Sequence, residues 1–314
     1  MRNAILVIFV AALLMSITEV GRGEEYAFVV PLPRQGDFMA GKGAESWNKM
    51  LKTIFSIAKE ETGIVINVRA QINWTETMND IEEGKGHLTF LKATDYVIAM
   101  KDNPPVTPWM SYRVEGDKYF SNCIYVNEAG GIKKTEDLRG KTIAIEELPG
   151  KSKKKRKYGD IGSGTAFFER IIWRKLLEKA GVREKMEDFA GEVKNTLNVE
   201  TSMFEVMRGT VDATVASKRI FVLLKKGDPK FKRLKELDCV CEVPYAVIVH
   251  RNGMDKKVIE EMADFIFNIH KRDDFKDFQM ISGVERFIPV KDSEYDPLRE
   301  LWKEAREKGW VEED

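Results

Sequence analysis

Residues 159–168 read Gly-Asp-Ile-Gly-Ser-Gly-Thr-Ala-Phe-Phe, GDIGSGTAFF. Small and hydroxyl-bearing residues stand directly before a strongly helical run. Upstream, Leu138-Arg139-Gly140-Lys141 leads into a β-rich stretch, Thr142 to Ile145. Downstream, the helical pattern continues to about Ala180, where Gly181 stops it. A strand, a glycine-bearing turn and a helix form the repeating unit of an α/β chain. The helix start has unpaired N–H groups and partial positive charge. Two readings follow. Ser163 or Thr165 is an ordinary N-cap, or the Gly162-Ser163-Gly164-Thr165 turn seats an anion that the glycines let approach closely. A cap needs one hydroxyl and no pair of glycines. The Gly-Lys-Ser/Thr ending of a P-loop is absent.

The same alternation extends in both directions. Strands are expected over Tyr26–Leu32, Ile64–Val68, His87–Leu91, Tyr119–Asn127 and Val211–Val215, with an extended stretch from Leu237 to Val249. Helices are expected over Ser46–Thr62, Thr75–Glu83, Ala93–Met100, Glu200–Arg208, Ser217–Lys226, Asp255–Lys271 and Pro297–Lys308. The pattern falls into two blocks, with extended stretches at their borders. The expected fold is α/β: two Rossmann-like lobes joined by two crossing hinge strands, the last helices returning to the first lobe. The boundaries expected are 1–23 for a signal peptide, 24–123 plus 246–314 for lobe 1, and 124–245 for lobe 2.

The signal peptide rests on Arg2, the apolar run Ala4 to Ile17, and small residues at Gly21 and Gly23 before Glu24-Glu25. The run is short for a bilayer span, and no cysteine follows it to carry a lipid. An exported, periplasmic, soluble product is expected. The whole chain has a formal charge of +0; removing Arg2, Arg22 and Glu19 takes away one net positive and leaves about −1. That balance does not suggest a nucleic-acid partner. The basic run Lys151 to Lys157 reads as a solvated loop, with an electrostatic funnel for an anion as the alternative.

Three cysteines are an odd number for an exported protein. Buried free thiols are the expectation; a bridge from Cys123 to Cys239 or Cys241 stays open if their strands are neighbours. No second Cys or His pair stands at zinc-ligand spacing, and no cofactor or metal is expected. His87, His250 and His270 are scattered, no Gly-x-Ser-x-Gly elbow occurs, and no nucleophile has a base at meaningful spacing. The chain is not expected to be an enzyme.

Several segments together resemble one family. They are Asp137–Ile145, Gly162–Thr165 with its helix ending Leu176–Gly181, and Met207–Ala213. Asn73–Gly84, His87–Tyr96 and the C-terminal run Gly283–Arg299 (GVERFIPVKDSEYDPLR) complete the set. The chain resembles the phosphate/phosphite/phosphonate-binding proteins of ABC importers, which have the type 2 periplasmic binding fold. The resemblance covers nearly the whole mature chain, and its C-terminal run is the most specific part. It implies a solute-binding protein that captures a small oxyanion or phosphonate-like anion by hinge closure and delivers it, as a monomer, to an inner-membrane ABC permease. It also implies pocket roles for Trp74, before the first-lobe helix, and Tyr96, after the next strand. In the second lobe, Ser163, Gly164 and Thr165 would grip the anionic oxygens. Core packing is the alternative for Trp74 and Tyr96.

The sequence departs from the family pattern in places. His87 replaces the usual Asp, and Lys92-Ala93 the usual Gly-Pro. Asn198 falls near a family histidine, and Arg219 near the acidic residue that meets a substrate amine in aminophosphonate binders. Arg219 at that place would repel an amine and favour more negative charge; an exposed helix residue is the alternative. On the same fold, a ligand-sensing subunit for a membrane kinase or a TRAP-type carboxylate-binding protein are the rival roles.

Overall fold

The computed structural model describes residues 25–31, 42–71, 74–100, 105–147 and 164–310. The expected signal peptide, the basic run Lys151–Lys157 and Ser163 lie outside the described residues. Among the described residues, no helix is long and apolar enough to cross a membrane.

Among the described residues, eleven strands form two sheets. The first contains β1 (Glu25–Pro31), β2 (Val65–Gln71), β3 (Leu88–Leu91), β4 (Val106–Arg113), β10 (Val247–Arg251) and β11 (Arg286–Pro289), in the order β11-β4-β10-β3-β1-β2. The second contains β5 (Tyr119–Asn127), β6 (Thr142–Glu146), β7 (Glu192–Thr196), β8 (Ala213–Ser217) and β9 (Leu234–Pro244), in the order β7-β6-β8-β5-β9. β1 runs parallel with β2 and β3, and β6 with β7 and β8. The strands next to the crossings pair antiparallel. The sheets are therefore mixed rather than mostly parallel, because a chain that changes lobe re-enters a sheet without a crossover helix.

The helices of seven residues or more among the described residues are α1 (Lys42–Thr62), α2 (Trp74–Glu82), α3 (Ala93–Ala99), α4 (Gly164–Lys179), α5 (Val199–Arg208), α6 (Lys218–Gly227), α7 (Lys256–Asn268), α8 (Lys276–Ser282) and α9 (Asp296–Glu307). Leu51, Ile54, Phe55 and Ala58 of α1 are buried at helical spacing and share a core with Tyr26, Phe28 and Val30 of β1. Phe168, Ile171, Ile172 and Leu176 do the same for α4 against Ile143 and Ile145 of β6. β5 lies wholly in the second sheet, so the first crossing falls in 114–118 rather than inside the strand at 123. The second falls between Pro244 and Val247.

The expectation of three free thiols is corrected here. β5 and β9 are antiparallel neighbours with Cys123 opposite Cys239, and the two form a disulfide at a Cα separation of 4.1 Å. Cys241 does not share Cys239's geometry, because its φ of 61° takes it out of the pleat. It is the free cysteine, and burial pushes its thiol pKa up to about 12.

One close approach fixes the entry to the second sheet. A Cβ at Gly191 would stand 2.4 Å from the Gly140 carbonyl oxygen. Gly140 itself has φ 72° and donates its N–H to the Phe189 carbonyl. Gly191→Ala is expected to destabilise by about 1–3 kcal/mol, because backbone rather than a flexible side chain must move. A lowered urea midpoint at unchanged slope is the readout.

Candidate functional site at the facing strand ends

In α/β sheets, helices that follow parallel strands begin at the strands' carboxyl ends, and ligands bind there. Among the described residues six helices follow such strands: α1 after β1, α2 after β2 and α3 after β3 in the first lobe, and α4, α5 and α6 after β6, β7 and β8 in the second. α3 packs against α4, so one helix of each set meets the other across the lobes.

The charge at these starts is unusual. A helix N-terminus favours acidic residues, yet the first turns of α4 and α6 carry none. α6 opens instead with Lys218-Arg219 behind its cap Ser217, whose hydroxyl oxygen accepts from the Ile220 N–H. Lys92 stands at the N-cap of α3 without a side-chain capping bond and is exposed. Asp95, in the same turn, is fully buried. Positive side chains thus add to positive helix ends, and an anion would relieve both.

The expected site residues are placed as follows. Gly164 and Thr165 open α4; the Thr165 side chain, like Ser163, lies outside what the structure describes. Trp74 is the first residue of α2, half-buried, with its ring edge-on to Phe90 at 5.5 Å. Beside it, the Thr75 hydroxyl is buried without a hydrogen-bond partner, a feature the sequence reading missed. Tyr96 is fully buried in α3; its hydroxyl donates to Asp292 Oδ1 at 2.5 Å and its ring lies 4.8 Å from that of Tyr295. Burial first, and then the Asp292 carboxylate, push the Tyr96 pKa upward. Its phenol therefore stays protonated.

Asn198 caps α5: its side-chain oxygen accepts from the Thr201 N–H and hydroxyl, both at 2.8 Å. The Thr196 hydroxyl beside it lies 2.5 Å from that of Ser202 and donates to the Ile145 carbonyl at 3.1 Å. This knits the ends of β6 and β7 to α5. Arg219 lies with its guanidinium over Tyr112 at 5.5 Å, and its Nε is buried without a partner. Tyr112 stacks on Tyr245, and Tyr245 on Phe120, at 5.5 and 5.1 Å. Arg219 therefore reaches from the second lobe to the aromatic column at the crossings.

A second residue that the sequence reading missed is Glu169, one and a half turns into α4. It is 5% exposed; Oε2 accepts from the Glu146 N–H at 2.7 Å, and Oε1 is buried without a partner. Burial raises its pKa to about 8, against the lowering effect of that N–H. Arg170 next to it donates to the Glu146 carbonyl and to Asn195 at the same strand ends.

Comparison with known proteins adds to this geometry. The model of a family described as the periplasmic substrate-binding protein of phosphonate ABC transporters matches residues 42–149 and 162–295. The fold is similar to that of a binding protein component of an ABC phosphonate transporter from Pseudomonas aeruginosa, with TM-score 0.63 and 12% identity over 92% of this chain and 89% of that one. It is also similar to a Prochlorococcus marinus protein in complex with methylphosphonate (TM-score 0.62, 13% identity, 91% and 99% covered). The periplasmic aliphatic sulphonate binding protein of Escherichia coli is similar as well (TM-score 0.56, 12% identity, 92% and 88% covered).

Proposed function

This chain belongs to the periplasmic substrate-binding proteins of phosphonate ABC transporters, and from that premise we propose that it captures a small phosphonate-like anion between its lobes. The observation that supports this most is the set of helix starts at the facing strand ends, with Lys92, Lys218 and Arg219 where acidic residues would ordinarily stand. The anion docks on the start of α4, where the Gly164 and Thr165 N–H groups and the Ser163 and Thr165 hydroxyls supply donors. Trp74 and Thr75 cover it from the first lobe, and Tyr96 backs that wall. Asn198 holds the floor at α5 in shape. Closure about the two crossings removes water from the charge-assisted hydrogen bonds and strengthens them.

Arg219 sets the preference for charge. Its guanidinium keeps one nitrogen unpaired, so a ligand amine near it is repelled and a further anionic oxygen is favoured. The closed form then delivers its cargo to an ABC permease in the inner membrane, from the periplasm, as a monomer and without turnover.

Calorimetry with methylphosphonate tests the site. Ser163→Ala with Thr165→Ala is expected to weaken binding by about 2–4 kcal/mol, since two hydrogen bonds to a charged group are removed. Arg219→Ala is expected to improve affinity for a 2-aminoethyl ligand relative to methylphosphonate. Parent-like affinity in the double variant would show that the turn only caps its helix.

A further inference from the structure

The C-terminal segment 292–308 touches both lobes in two different ways. Towards the first lobe its contacts centre on two buried tyrosines, with an exposed carboxylate beside them. Tyr96 donates to Asp292, Tyr295 packs on Tyr96, and both tyrosines are fully buried. Arg299 ties Asp292 and Asp296 together, with 3.0 Å to the Asp292 carbonyl and 2.7 Å to Asp296 Oδ1. At the crossing, Glu294 accepts from the Tyr119 hydroxyl at 2.8 Å and pairs with Lys118.

Towards the second lobe α9 lies against β9 and α4, with Leu298, Leu301 and Ala305 buried in the core that holds Phe168, and the outer contacts are of another kind. Trp302 lies 5.2 Å from Phe168 of α4. Below it, four charges alternate around a square: Lys175 to Glu304 at 2.8 Å, Glu304 to Lys308 at 2.7 Å, Lys308 to Glu178 at 2.5 Å, and Glu178 to Lys175 at 3.7 Å. These four side chains are 26–40% exposed. Pairs at that exposure are individually weak and screened by salt. The packing of Tyr295 on Tyr96, both fully buried, is not.

We propose that segment 292–308 is an arm fixed to the first lobe that grips α4 of the second reversibly, so that Trp302, Glu304 and Lys308 set how long the cleft stays shut. α4 is the helix whose start seats the anion in the proposed function, and α3, which the arm holds by Tyr96, is the wall opposite. When the lobes part, the exposed square and the Trp302 contact separate first, and the arm stays with Tyr96. The inference concerns the lobes themselves and stands apart from the identity of the ligand.

The test compares the parent protein with a Glu304→Gln/Lys308→Met double variant and with Trp302→Phe, using small-angle scattering without ligand. The double variant is expected to have a larger radius of gyration at low salt. The parent is expected to approach that value as NaCl is raised to about 1 M, a concentration that shortens screening to a few ångströms. Stopped-flow release of methylphosphonate is expected to be roughly three- to tenfold faster in the double variant, with entry little changed. Circular dichroism checks that each variant is folded, and Trp302→Phe, which keeps an aromatic ring, is expected to lie between the two. Superimposable scattering profiles at low and high salt, from folded proteins, would overturn the proposal. If methylphosphonate binds to none of them, the anion reading fails, and the scattering still decides whether the arm grips.

Discussion

Replacing Cys123 and Cys239 by serine is expected to destabilise the protein by about 2–4 kcal/mol in urea unfolding, a loss typical of a long-range disulfide. The bridge joins positions 116 residues apart and so restricts a large loop of the unfolded chain. It also ties β5 to β9, the pair through which the chain enters and leaves the second sheet. The serine pair keeps the strands' backbone bonds, so the loss should come with little change in circular dichroism. Binding should suffer less than stability, because neither sulfur lies at the strand ends that form the candidate site. Equal stability of parent and variant under oxidising conditions would mean that the bridge does not form in solution. The contacts of Cys123 and Cys239 with Glu236, both at 3.9 Å, would then be the relevant ones.

The second large effect concerns Glu169. Its pKa is about 8 in the folded protein against an ordinary glutamate value of 4.5. A carboxyl whose folded pKa is raised prefers the protonated folded state. Below pH 4.5 both states are protonated and the group is neutral in its effect. As pH rises from there towards 8, the unfolded chain gives up the proton while the folded protein keeps it, and stability falls; beyond 8 the penalty is complete. Its upper bound is roughly 4–5 kcal/mol, because each tenfold difference in proton affinity between the two states is worth about 1.4 kcal/mol. Glu169→Gln keeps an oxygen for the Glu146 N–H and cannot ionise. The variant should match the parent near pH 4 and exceed it by a few kcal/mol near pH 8.5. A stability difference that does not change with pH over this range would show that Glu169 titrates like an exposed carboxyl.

Much of the fold is legible in the sequence, and the reasons differ by element. The helices from Ser46, Ala93, Glu200 and Asp255 announce themselves by apolar spacing, and the structure starts or ends them within a few residues of expectation. β7 and β11 were not expected. Both are edge strands, exposed or half-buried except at Thr196, so the alternation that marks a strand is missing. β4 hid behind its prolines. Pro108 fits because the pairing with β10 shifts register between Ile248 and Val249, opposite it. The disulfide could not be chosen from spacing alone, since it needs β5 beside β9 and Cys123 opposite Cys239 rather than Cys241.

For the proposed site, the helix starts on which its residues sit are legible in the sequence and their partners are not. Gly164 and Thr165 at a helix start, Asn198 at another and Arg219 at a third are visible as caps and charges in the sequence. What Tyr96 does is not, because its partner Asp292 comes from 196 residues away. The C-terminal run that carries the family resemblance has its physical meaning here: Asp292, Tyr295 and Arg299 are the residues that fix Tyr96. Glu169 gave no signal, since a glutamate on a helix usually faces water.

The most direct test of the central reading is calorimetry of the mature, ligand-stripped protein with methylphosphonate and, in parallel, with its neutral dimethyl ester. The account predicts saturable one-to-one binding of the anion and no heat from the ester. Binding of the ester as tight as that of the anion, or no binding of methylphosphonate, phosphate, phosphite or sulfonates at all, would contradict it.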